Sequence, residues 1–184
     1  MSRLQAIDPD RATGKAKALL DGVRKKLGVA PNLMRTMANS PAVLEGYLGL
    51  SGALAGGRLT AKLREQLALA VAEANGCEYC LAAHSLLGKN AGLDAQQVLA
   101  ARRGDALDPS DRAVLQFALA VIAARGNVSD AELAHARGAG LGDAEIAEIV
   151  AHVALNVLTN YLNRVADTQI DFPKVAALTS EARQ

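Results

Sequence analysis

The chain has no tryptophan, and only Tyr47, Tyr79, Phe117, Tyr161 and Phe172 are aromatic among its 184 residues. Its core must be assembled from Leu, Val, Ile and Ala, which suit close helix packing; Ala and Leu are also strong helix formers. An excess of one charge is missing too, since twenty basic residues stand against nineteen acidic ones for a net charge of +1. That balance leaves no electrostatic footprint for nucleic acid or an anionic membrane. The pairs Lys25-Lys26 and Arg102-Arg103 read as solvated surface. The longest apolar runs, "LALAVA" (67–72) and "ALAVIAA" (118–124), are far too short to span a bilayer. The opening "MSRLQAIDPD" has no apolar core of signal-peptide length. A soluble, cytoplasmic protein is expected. Alternating strand patterns, a glycine-rich phosphate loop and a low-complexity linker are all absent.

What is present reads as helix almost throughout. Apolar spacing and caps place helices over about 10–26, 33–38, 41–54, 61–74, 77–90, 94–103, 109–125, 130–137 and 143–166. Ser40-Pro41, Thr60 and Ser129 supply start signals. Gly28, Gly56-Gly57 and Asn75-Gly76 supply stops. In the fourth helix Leu63, Leu67, Ala70, Val71 and Ala74 form the apolar stripe. The expectation is one all-α domain over 1–184, with an N-terminal helical extension to about residue 40 and an irregular tail from about 167. The joints "NAGLDAQQVL" and "GAGLGDAEIAEIV" resemble each other; a common way of ending one helix and starting the next explains this more simply than a duplication.

Both cysteines fall in "NGCEYCLAAH", residues 75–84, three apart and with His84 four residues beyond the second. Two cysteines scattered at random over this length land three apart about once in a hundred. In a compartment that keeps thiols reduced, such a pair points to catalysis or metal rather than to a structural staple. Gly76 breaks the preceding helix, so Cys77 and Cys80 sit in the opening turn of the next one. Unpaired N–H groups and the macrodipole favour a thiolate there. A loosened first turn also lets the two sulfurs come together or part. Cys80 and His84 are i and i+4 on one face, so an imidazole can take the thiol proton. Cys80 is thus the candidate attacking thiol and Cys77 its resolving partner. Zinc is the competing use: Cys77, Cys80 and His84 would need a fourth ligand from His135, His152 or a carboxylate, and no second CxxC exists. Among local carboxylates, Glu78 is expected to face solvent, while composition does not choose between Glu65 and Glu73. His152, with Glu148 and Asn156 one turn to either side, forms a polar stripe that either faces the site or is a satisfied core or interface feature. His135 is expected on the surface.

The stretch "REQLALAVAEANGCEYCLAAH", residues 64–84, resembles the alkylhydroperoxidase D-like and carboxymuconolactone decarboxylase family. Its redox members carry Glu, eleven residues, CxxC, three residues, His, and Glu65, Cys77, Cys80 and His84 match every position. "AHVALNVLTNYLNRVADTQIDFP", residues 151–173, is similar to the peroxidase-related branch. The resemblance implies an all-helical bundle of the AhpD-like type, with the CxxC at the first turn of a central helix, assembled into a homo-oligomer such as a trimer or hexamer. It implies a thiol-dependent hydroperoxide reductase in which Cys80 attacks the peroxide, Cys77 resolves the sulfenic acid to a disulfide, and Glu65 and His84 relay protons. An external dithiol or reductase partner then restores the thiols, and no cofactor is needed. One departure stands out. The best-known members have a second histidine just before the second cysteine, where this chain has Tyr79, a poor base near neutral pH. The alternatives are a non-peroxidatic disulfide oxidoreductase, a decarboxylase-like lyase and a zinc-stabilised interaction module.

Overall fold

In a computed structural model, residues 2–176 and 178 are described. Among them all regular structure is helical: α1 (Gly14–Leu27), α2 (Asn32–Met37), α3 (Pro41–Ala55), α4 (Ala61–Ala74), α5 (Glu78–Asn90), α6 (Ala95–Arg102), α7 (Pro109–Ala123), α8 (Asp130–Gly138) and α9 (Asp143–Ala166). The caps act as the residue types predict. Thr60 accepts the Leu63 N–H to start α4, Asp108 accepts from Ser110 and Asp111 at α7, and Asp94–Gln97 and Ser129–Glu132 form reciprocal capping boxes at α6 and α8. The two similar joints each close with a six-residue backbone bond, Leu93 N–H to Gly88 O and Leu141 N–H to Ala136 O, the simpler explanation of their likeness.

The first helix starts later than its sequence pattern predicts. The Asp8 carboxylate captures the Asp10 N–H at 3.0 Å, and Arg11 N–H bonds back to Asp8 O. That local turn competes with helix, so α1 begins only at Gly14. Residues 3–7 form no helix and are tied down by backbone bonds, Arg3 N–H on Ala166 O at the end of α9 and Ile7 N–H on Arg35 O of α2. Of the expected tail, residues 168–176 lack regular structure, and most of its remainder lies outside the described residues.

α4 is the centre of the bundle, packed by α5, α6, α7 and α9. Where the sequence predicts one apolar stripe, every residue from Gln66 to Glu73 is buried, and Ala74 is exposed. The small side chains of "LALAVA" let neighbours close in on all sides, the pattern of an interior helix. The apolar core joins Leu20, Met37, Leu44, Leu67, Val71, Leu115 and Ile149, all 2% exposed or less. α5 packs along α4, and α9 lies against both; the cysteines fall where the three meet.

Candidate active site

The junction between α4 and α5 holds the first sulfur in place. Gly76 N–H bonds to Glu73 O (3.1 Å) and Cys77 N–H to Ala72 O (2.9 Å), the paired bonds that end a helix through a left-handed residue. Gly76 supplies that residue at φ 63°, a conformation costly to any side chain with a Cβ. Cys77 therefore closes α4 and opens α5 at once. It is the N-cap of α5, and its Sγ accepts the Cys80 N–H at 3.3 Å. Cys80 lies in the first turn, and the two are disulfide-bonded. Both are deeply buried, Cys77 at 1% and Cys80 at 2% exposure.

Glu65 and His84 come together across the α4–α5 hairpin, with Glu65 Oε2 and His84 Nδ1 2.8 Å apart. An ionised carboxylate only accepts, so Nδ1 carries the hydrogen and Nε2 keeps its lone pair free of that bond. Gly88, one turn beyond His84, makes room for Leu93: a Cβ there would stand 2.8 Å from Leu93 Cδ1, while its 3.7 Å to Glu65 Cβ is ordinary contact. Both side chains reach the surface, His84 at 23% and Glu65 at 21% exposure. The Glu65–His84 pair thus reaches the surface while the cysteines do not. Tyr47 of α3 belongs to the same neighbourhood. Burial first, and then the charge of Glu65, push its phenol above the ordinary range.

Glu73, the other carboxylate in question, is committed elsewhere. It is buried and paired with Arg102, whose Nε donates to Glu73 Oε2 at 2.9 Å and whose Nη2 donates to Ala176 O at 2.8 Å. This corrects the reading of Arg102-Arg103 as a surface pair: Arg103 is exposed, but Arg102 is 7% exposed and ties the C-terminal segment to α4. Its partners come from two segments distant in sequence, Glu73 of α4 and Ala176, which adjacency in sequence cannot reveal. Glu78 faces solvent, and so does His135.

Tyr79 is a structural residue. It is 5% exposed, its ring meets Phe172 edge to face at 5.5 Å, and its hydroxyl accepts the Leu33 N–H at 3.1 Å. The same hydroxyl is bonded to Asp171, whose Oδ2 accepts the Asn32 N–H at 2.7 Å. The phenol therefore satisfies one of the unpaired donors at the start of α2. Burial, above all, pushes its pKa far up, so it stays protonated.

α9 contributes a buried polar seam of His152, Asn156, Asn160 and Asn163. Asn163 Nδ2 donates to Cys80 Sγ at 3.3 Å, a contact to the disulfide that sequence spacing gave no means of finding. Asn160 Oδ1 accepts from Asn75 Nδ2 at 2.9 Å, bracing the α4–α5 junction. His152 feels the charge of Glu65, and the bonds of its stripe neighbours run elsewhere. Asn156 bonds back to His152 O, and Glu148 caps the Arg58 and Leu59 N–H groups. His152 itself is 4% exposed with its Nε2 unpartnered among the described residues. Burial, followed by Arg64, holds its pKa below the ordinary value. No group of three or more His, Cys, Asp or Glu among the described residues is arranged to hold a metal ion.

A cleft of about 780 Å³ opens beside the disulfide, lined by Cys77, Tyr79, Asn163, Arg164 and Thr168 among others. Arg164 Nη1 also donates to Asn75 O at 2.5 Å, fixing the cleft wall to the α4–α5 turn. No helix among the described residues is long and apolar enough to cross a membrane.

Comparison with known proteins places this arrangement. Residues 41–106, which hold Glu65, both cysteines and His84, match the carboxymuconolactone decarboxylase family. No curated protein matches the chain in sequence. Among solved structures, an uncharacterized peroxidase-related protein with the alkylhydroperoxidase AhpD core, from Ralstonia eutropha, superposes with a TM-score of 0.82 at 24% identity, covering 99% of this chain and 94% of that one. A peroxidase-related protein from a Silicibacter species gives 0.76 at 22% identity, covering 100% and 97%. The debrominase Bmp8, as a cysteine-to-alanine variant in complex with 2,3,4-tribromopyrrole, gives 0.74 at 22% identity, covering 92% and 90%. Residues 41–106 thus resemble the carboxymuconolactone decarboxylase family, and over its whole length the chain has the helical fold of the AhpD core.

Proposed function

We propose that the protein is a thiol-dependent hydroperoxide reductase. The observation that carries this reading is the Glu65–His84 pair, 2.8 Å apart, one helical turn beyond a buried dithiol in the opening turn of α5. His84 Nε2, oriented by the Glu65 bond on Nδ1, takes the Cys80 thiol proton directly or through water. The Cys80 thiolate attacks the peroxide O–O bond; the leaving alkoxide takes up a proton as alcohol, and Cys80 becomes a sulfenic acid. Cys77, its sulfur held by the Cys80 N–H, attacks Cys80 Sγ, water departs and the disulfide closes. An external dithiol or reductase partner returns two electrons. Tyr79 takes no part in the relay, so two groups, Glu65 and His84, carry the protons.

The protein works as a homo-oligomer, a trimer or hexamer, in the cytoplasm. In support, the outer face of α3 exposes Ala42, Val43, Gly46, Gly49, Leu50 and Ala53, a smooth apolar surface with no space-filling role inside the chain. The likeness to a debrominase favours a second reading, thiol attack on a halogenated aromatic substrate.

The test is to mix reduced protein with cumene hydroperoxide, trap sulfenic acid with a dimedone reagent and map it by mass spectrometry. The label is expected on Cys80. Cys80→Ser abolishes turnover, and Cys77→Ser allows one oxidation and then stalls. A label on Cys77, or peroxide consumption no faster than that of a CxxC peptide, would sink the proposal. Bromide release from a brominated pyrrole under the same conditions would establish the second reading in its place.

A further inference from the structure

Exposure does not tell the two sulfurs of the disulfide apart, at 1% and 2%. Their surroundings do. Cys77 Sγ belongs to a residue that lines the 780 Å³ cleft, together with its neighbours Gly76, Glu78 and Tyr79; Cys80 is not part of that wall. A cleft of this size matches what a small organic ligand or a thin projecting segment fills. Cys80 faces α9, where the Asn163 amide donates to its sulfur at 3.3 Å. Asn163 also lines the cleft, and its Oδ1 is buried without a partner among the described residues.

From this geometry we infer that the cleft is the entrance for the reductant, that its thiol attacks Cys77, and that Asn163 receives the departing Cys80 sulfur. The inference rests on the dithiol cycle proposed above and assigns its reductive half. A reductant thiolate attacks Cys77 Sγ; a new S–S bond joins reductant and Cys77 as the Cys77–Cys80 bond breaks, its electron pair leaving on Cys80. That thiolate is received by the Asn163 N–H and the first turn of α5. The reductant's second thiolate then attacks its own sulfur in the mixed disulfide, closing the reductant's disulfide and releasing Cys77 as a thiolate onto the Cys80 N–H. Two electrons pass to the protein, and the reductant's two thiol protons end on Cys77 and Cys80. Peroxide and reductant thereby meet opposite ends of the pair: peroxide the Glu65–His84 side of Cys80, the reductant the cleft side of Cys77.

The experiment uses the oxidised full chain and reduced glutathione as a monothiol probe. The reaction is quenched with excess N-ethylmaleimide in its first seconds, and the peptides are mapped. Glutathione on Cys77 with maleimide on Cys80 is the expected result; glutathione on Cys80, or an even division, overturns it. Asn163→Leu is expected to slow this exchange roughly tenfold, the size of a lost hydrogen bond to a charged group. In a Cys77→Ser background it raises the midpoint of the Cys80 thiolate absorbance by about one pH unit. Asn163→Ser, which keeps a donor, recovers part of both. A folded Asn163→Leu protein with unchanged rate and midpoint removes Asn163 from the scheme. None of these readouts contains a peroxide, so a protein that exchanges at Cys77 yet leaves hydroperoxide untouched refutes the peroxidase reading and not the cleft assignment.

Discussion

Tyr79→Phe separates a structural tyrosine from a catalytic one. The substitution keeps the ring and its 5.5 Å edge contact with Phe172, so packing is retained. It removes the oxygen that accepts the Leu33 N–H at 3.1 Å, inside a site where Leu33 is 8% exposed and Tyr79 5%. A buried N–H left unpaired costs about 1–3 kcal/mol. Asp171 loses its phenol donor but keeps the Asn32 N–H, which argues for the middle of that range. For a chain of this length each kcal/mol moves the melting temperature by about 2–4 °C, so a loss of about 2 kcal/mol lowers it by about 4–8 °C. Urea unfolding followed by circular dichroism measures the free energy, and a peroxide assay on the reduced variant at a temperature well below its transition measures the chemistry. The expected outcome is a clear loss of stability with peroxide reduction retained. A variant as stable as the parent but slowed tenfold toward peroxide would place the phenol in the proton relay and refute the assignment.

Glu65→Gln keeps the size of the side chain but removes the charge that orients His84; peroxide reduction by the reduced protein is expected to fall about a hundredfold or more, as followed by stopped-flow oxidation of the thiols, with the fold intact by circular dichroism. Burial, and then Arg64, lower the His152 pKa, with Glu148 and Glu65 opposing. The unfolded chain binds its proton below about pH 6.5 and the folded chain binds it less readily, so stability rises with pH through that region and falls below it, by up to about 1.4 kcal/mol per pH unit. Urea unfolding at pH 5.5 and 7.5 should show this loss, and it should shrink in His152→Gln. Arg102→Met removes the charged hydrogen bond to the buried Glu73 carboxylate and is expected to cost about 1.5–3 kcal/mol; thermal melts test this, and limited proteolysis near Ala176 should speed up as that segment loses its bond to Arg102.

Helix existence and most helix ends were written locally. Thr60, Asp94, Asp108 and Ser129 cap because their side-chain oxygens reach an N–H two or three residues on, and Gly76 stops α4 because it alone takes φ 63° at no steric cost. The spacing of Cys77, Cys80 and His84 likewise put three groups on one helix, a relation fixed by 3.6 residues per turn. Tertiary structure made the choices that depend on distant partners. It gave Glu65 to His84 and Glu73 to Arg102, two carboxylates alike in sequence and divided only by which face of α4 meets α5 and which meets α6. It turned Tyr79 into the cap of a helix 46 residues away. It brought Asn163, 83 residues from Cys80, against the sulfur. A hydrogen bond between remote segments leaves no periodicity or composition behind it, because only the packing of the helices brings its donor and acceptor within 3.5 Å.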